Sequence, residues 1–104
     1  MPYRHLIYAV GTVESHRDTL AYNLTERATG YFQIRPIRLR DYNQKTGSHY
    51  RMKDLYKYEI SEKIFLYYAN QFGIYNRERF IRSWNGSGKQ TWEYLKNVKK
   101  YLTN

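Results

Sequence analysis

Apolar residues recur along this chain at helical spacing, and alternation of the strand type is weak throughout. Ile7 and Val10, with Glu14 at the seventh position from Ile7, lie on one face of a predicted helix over 3–15. The segment 16–30 is polar, with Asp18, Asn23 and Thr25, and reads as loop or short irregular strands. Pro36 suits the first turn of a second helix, which Gly47 ends. A third helix starts at Asp54 or Ser61 and runs to Phe72, with Ile64, Phe65, Tyr68 and Phe72 as its apolar face and Gly73 as its cap. A short fourth helix covers 77–84 and stops at Asn85 and Gly86. A last helix covers 90–102, with Trp92, Leu95, Val98 and Leu102 at helical spacing. The expectation is a mostly α, single domain over 1–104, with no internal repeat or linker.

Composition sharpens this picture. The chain has 104 residues, 41% of them apolar and 18% aromatic, and 13 of the aromatics are Tyr. Such a chain builds one modest core with polar rims, because a buried phenol needs a hydrogen-bond partner. Lys and Arg number 18 against 9 Asp and Glu, a net charge of +9 that favours an anionic polymer as partner. Nucleic acid fits that description, and so does a bacterial cell wall with its peptide carboxylates and attached anionic polymers. Cysteine is absent, which excludes disulfide and thiolate chemistry. His5, His16 and His49 show no metal-ligand spacing, so neither metal nor cofactor is expected. No apolar run is long enough for a transmembrane helix. The apolar stretch near the start is short and interrupted by Gly11 and Thr12, unlike a signal peptide. Export by another route, or a leader outside this chain, is therefore expected of an extracytoplasmic or virion-associated protein.

Glu14 is the residue that stands out chemically. On a stripe with Ile7 and Val10 its carboxylate is expected to lose hydration, which raises its pKa. The negative end of the helix dipole acts in the same direction. A carboxyl held protonated near neutral pH is what glycoside cleavage needs to protonate the leaving oxygen. Periodicity alone favours an exposed Glu14, or one bonded to a nearby backbone amide. A second cluster spans 26–36, where the small residues Ala28 and Gly30 permit close backbone approach and Gln33 lies between Phe32 and Ile34. A buried Gln33 needs several partners, which a sugar or a catalytic carboxylate could supply; an ordinary loop entering a helix fits as well. A third cluster, Trp84, Asn85, Gly86, Ser87 and Gly88, could floor a sugar site or simply stop a helix.

In order, these clusters resemble the lytic transglycosylase branch of the lysozyme superfamily. That family carries Glu-Ser at a helix end, then Gly-x-x-Gln-Ile, then aromatic-Asn-x-Gly. Here the matching residues are Glu14 and Ser15, then Gly30, Gln33 and Ile34, then Trp84, Asn85 and Gly86. The stretch 30–43, GYFQIRPIRLRDYN, is similar to small transglycosylase-like domains, and 77–88, RERFIRSWNGSG, resembles their later Arg-x-Trp-Asn-Gly-Gly helix end. Trp84 stands where larger relatives carry Tyr, and Ser87 where the later motif has its second Gly.

The resemblance implies a compact helical fold with a groove, shallow in so short a chain. It implies cleavage of the MurNAc-GlcNAc β-1,4 bond in peptidoglycan glycan strands. Glu14 would be the catalytic acid, with Ser15, Tyr31, Gln33, Trp84 and Asn85 lining the substrate. One Glu suffices in such enzymes: the substrate's acetamido oxygen stabilises the cationic centre and its own 6-hydroxyl attacks, giving a 1,6-anhydro end. A water-using lysozyme needs a further carboxylate, for which Glu26 ranks ahead of Asp18 and Asp41. Two rivals remain. One is a catalytically inactive structural or binding protein of a larger assembly, such as a phage particle. The other is a basic nucleic-acid-binding module, favoured by the charge, Arg38, Arg40 and the many Tyr residues. Its basic residues are scattered, and it shows no nucleic-acid-binding signature.

Overall fold

In a computed structural model, which describes residues 3–102, five α-helices and a two-stranded antiparallel sheet surround one core. The chain order is α1 (Arg4–Ser15), β1 (Tyr22–Asn23), β2 (Ala28–Thr29), α2 (Pro36–Thr46), α3 (Tyr58–Phe72), α4 (Arg77–Asn85) and α5 (Gln90–Lys99). Short 3-10 turns at Met52–Tyr56 and Ile74–Asn76 lead into α3 and α4. None of the helices is long and apolar enough to cross a membrane, among the described residues.

The aromatic residues build the centre. Phe32 and Phe65 stack with centroids 4.1 Å apart, and Phe80 and Trp84 meet Phe65 edge-on at 5.2 and 5.0 Å. Trp84 reaches Phe32 a second way, its Nε1 donating to the Phe32 carbonyl at 3.2 Å. That bond satisfies the indole N–H where no water reaches it. Leu6, Ile7, Ala9 and Val10 bury one face of α1, and Thr91, Tyr94, Leu95 and Val98 bury one face of α5. The apolar face of α5 is therefore turned from the expected one: Trp92 is 58% exposed and lies outside the core.

The polar segment after α1 folds as a hairpin, with Tyr22 opposite Thr29 and Asn23 opposite Ala28. His16 and Arg17 adopt left-handed conformations, and their N–H groups return to the Thr12 and Gly11 carbonyls. This ends α1 directly after Glu14 and Ser15. A second reversal joins the hairpin to α2: Thr29 and Ile34 exchange backbone bonds at 3.0 Å around the turn of Gly30 and Gln33. Gly30 has φ +84°, and a Cβ there would lie 2.5 Å from the Leu55 carbonyl oxygen, so no other residue fits. Gly11 serves α1 similarly, since a Cβ would strike the Tyr31 ring.

Pro36 does open α2, and Gly47, at φ +72°, closes it. The start of α3 differs from expectation. The helix begins at Tyr58, and Ser61 is fully buried inside it, donating to the Leu55 carbonyl at 2.7 Å. Ser61 thus ties α3 to the preceding 3-10 turn and does not cap the helix.

Candidate active site

Glu14 occupies the last turn of α1 and is half-buried. Its Oε2 accepts a hydrogen bond from the Tyr94 hydroxyl of α5 at 2.6 Å. Desolvation by burial is the largest influence on the carboxyl and pushes its pKa from 4.5 up to about 7. The Tyr94 hydrogen bond opposes the rise, as do the positive Arg35 and Arg38, while the charge of Glu26 adds to it. Tyr94 is itself buried, and burial together with the Glu14 charge pushes its phenol well above its ordinary range. Tyr94 therefore remains a donor whenever Glu14 is ionised. The result is a carboxyl that exchanges its proton near neutrality, held in one orientation by a neutral phenol.

The other expected residues fall into distinct positions. Ser15 directs its hydroxyl to the Tyr31 carbonyl at 2.8 Å, tying the end of α1 to the segment after the hairpin. The Tyr31 ring is 9% exposed and packs edge-on against Phe32 and Tyr58. Gln33 is half-buried at φ +54°, and its Nε2 donates to Gly30 at 3.0 Å and Ala21 at 3.4 Å. Its amide thus braces the turn between hairpin and α2. Trp84 is only 4% exposed, with Arg38 stacked 4.0 Å above its ring. No ring face is left for a sugar, which corrects the expectation that Trp84 floors a site. Asn85 is half-buried, and its Oδ1 is buried without a hydrogen-bond partner among the described residues.

Glu26 is exposed at the hairpin, 3.7 Å from Arg35 Nε and near enough to act on Glu14 through its charge. Asp18 accepts from the Leu20 N–H, and Asp41 accepts from the Tyr68 hydroxyl and pairs with Lys45. Both are occupied by local structure.

Arg35 and Arg38 line a cleft of about 350 Å³ together with Ile37, Asp41, Tyr68 and Asn85. Arg35 donates to the Asn85 carbonyl, and Arg38 to the Ser83 and Trp84 carbonyls. The start of α2 is in this way fastened to the end of α4. Sequence reasoning missed Tyr94 and the role of these arginines. The only available signal for Tyr94 was its spacing from Thr91, Leu95 and Val98.

No known protein family, curated protein or solved structure matches the chain significantly.

Proposed function

We propose that this protein is a peptidoglycan-cleaving glycosidase acting on the MurNAc-GlcNAc β-1,4 bond, a lytic transglycosylase with Glu14 as its one catalytic acid. The observation that carries this reading is the state of Glu14: half-buried, oriented by Tyr94 and raised to about 7. The ordered motif resemblance supplies the substrate class.

In this mechanism the protonated Glu14 gives its proton to the glycosidic oxygen as the bond to C1 of the muramyl sugar breaks. The substrate's acetamido oxygen shares the positive charge developing at C1. The 6-hydroxyl of the same sugar then attacks C1, and its proton passes to the Glu14 carboxylate, which restores the acid. Tyr94 donates to Glu14 in the ionised interval and so limits the cost of its charge. Glu26, exposed and beside Arg35, is the carboxylate available if water replaces the 6-hydroxyl. Gln33, half-buried with its Nε2 fixed on the Gly30 and Ala21 carbonyls, is the polar side chain that meets the sugar in this reading.

Digestion of purified sacculi with mass spectrometry of the products tests the assignment. Anhydro-muropeptides support it, and reducing muropeptides replace it with a lysozyme. No release from a folded protein favours a structural or binding role in a larger assembly. Glu14→Gln should abolish release while leaving the fold intact.

A further inference from the structure

A second cavity, which shares Gly86 with the arginine-lined cleft, carries positive charge of its own. It measures about 340 Å³ and lies where the end of α4 turns into α5, with Arg79, Arg82, Ser87, Gly88 and Thr91 in its wall and Phe72 at its base. Arg82 is fixed on two sides. Its guanidinium lies 3.5 Å over the Trp92 ring, and its Nε donates to Thr91 Oγ1 at 3.1 Å. Thr91 Oγ1 in turn donates to the Gly88 carbonyl at 2.7 Å. Both terminal nitrogens of Arg82 are left without a protein acceptor among the described residues.

Among the described residues, no carboxylate forms an ion pair with either arginine. Among the described residues the ion pairs are Arg35 with Glu26, Lys45 with Asp41, and Lys99 with Glu78. The acidic residue nearest in sequence to Arg79, Glu78, is thus committed to Lys99 of α5 at 2.9 Å. A guanidinium already ordered by an aromatic face loses little freedom on binding a tetrahedral anion, and its free edge suits paired donation to anionic oxygens.

We propose that this cavity binds a phosphoryl group carried by a polyol-phosphate polymer, an anionic polymer of the kind attached to bacterial walls. Arg82 supplies the ordered fork, Arg79 the second charge, and Ser87 a hydroxyl at the rim. At about 340 Å³ the cavity has room for one phosphate with its adjoining polyol carbons. Arg82 covers one face of the Trp92 ring, while the residue remains 58% exposed, so the oligonucleotide competition below separates nucleic acid from the polymer. The choice of a wall polymer rests on the function proposed above, whereas the phosphate site itself stands on Arg82, Arg79 and the cavity alone.

The test is a titration of the full chain at constant ionic strength, first with inorganic phosphate and then with short poly(glycerol phosphate). Trp92 fluorescence and the amide NMR signals of Ser87, Gly88 and Thr91 report binding. Saturable changes confined to those groups are expected, with the polymer binding more tightly than free phosphate. Arg82→Lys keeps the charge but loses the fork, and should weaken binding about tenfold. Arg79→Gln alters an exposed side chain, leaves folding intact and should weaken binding severalfold, whereas Lys96→Gln should change it less than about twofold. Equal effects of all three variants, or shifts spread over the surface, would show only diffuse charge attraction and overturn the site. A random oligonucleotide that displaces the polymer at lower concentration would overturn the choice of ligand.

Discussion

Replacing Glu14 by Gln should make the protein more stable, and only where the wild-type carboxyl is ionised. Gln keeps the size of the side chain and an oxygen for the Tyr94 hydroxyl, now 2.6 Å from Oε2, but never carries charge. In the unfolded chain Glu14 titrates near 4.5, and in the fold near 7. Between these values the folded state binds the proton and the unfolded state has lost it. Wild-type stability therefore falls as pH rises through this window and is lower by a constant amount above it. At about 1.4 kcal/mol per tenfold change, the interval from 4.5 to about 7 sets a ceiling of about 3 kcal/mol. In a domain this small that ceiling corresponds to roughly 10 °C or more in Tm. Thermal unfolding of both proteins at pH 4 and pH 8 measures it directly. Near-equal Tm values at pH 4 and a clearly higher Tm for the variant at pH 8 are expected. A variant no more stable than wild type at pH 8 would refute the desolvated carboxyl, and with it the physical basis for Glu14 as an acid.

Further expectations follow from the same contacts. The proposed glycan cleavage would require protonated Glu14, so its rate should decline as pH rises through about 7, measured on sacculi across a buffer series. Tyr94→Phe removes the donor that favours ionised Glu14; the declining limb should move to higher pH, and an unmoved limb would argue against the contact. Phe65→Ala opens a cavity among Phe32, Phe80 and Trp84 and should cost about 3–5 kcal/mol in denaturant unfolding. Gly30→Ala forces a Cβ against the Leu55 carbonyl at a left-handed position, and should lower stability by more than about 1 kcal/mol.

Signals carried by single residues were readable in the sequence. Pro36 and Gly47 bracket α2, and Gly73 follows α3, because a fixed φ or a positive φ is a local requirement. The segment around Gly30 reads as a close approach, and Leu55 is the backbone that approaches. What sequence could not supply were the partners. Trp92 and Thr91 compete for the buried face of α5, and hydropathy favours Trp92. The fold chooses Thr91, because its hydroxyl bonds both Gly88 and Arg82 while Trp92 remains outside under Arg82. Trp84 likewise looks available to a ligand until Arg38 is seen on its face. Ser61 has the composition of a helix start, but the buried Leu55 carbonyl claims its hydroxyl from within α3. Glu14 was legible as an amphipathic oddity, whereas its orientation depends on a phenol from the other end of the chain.

That last contact has a consequence for the timing of synthesis. Glu14 and Tyr94 are 80 residues apart, so α5 leaves the ribosome well after α1. Until α5 docks on α1, the Glu14 carboxyl is hydrated, titrates like any exposed glutamate and has no fixed direction. A nascent chain, or one clipped ahead of α5, would therefore carry the residue without the acid.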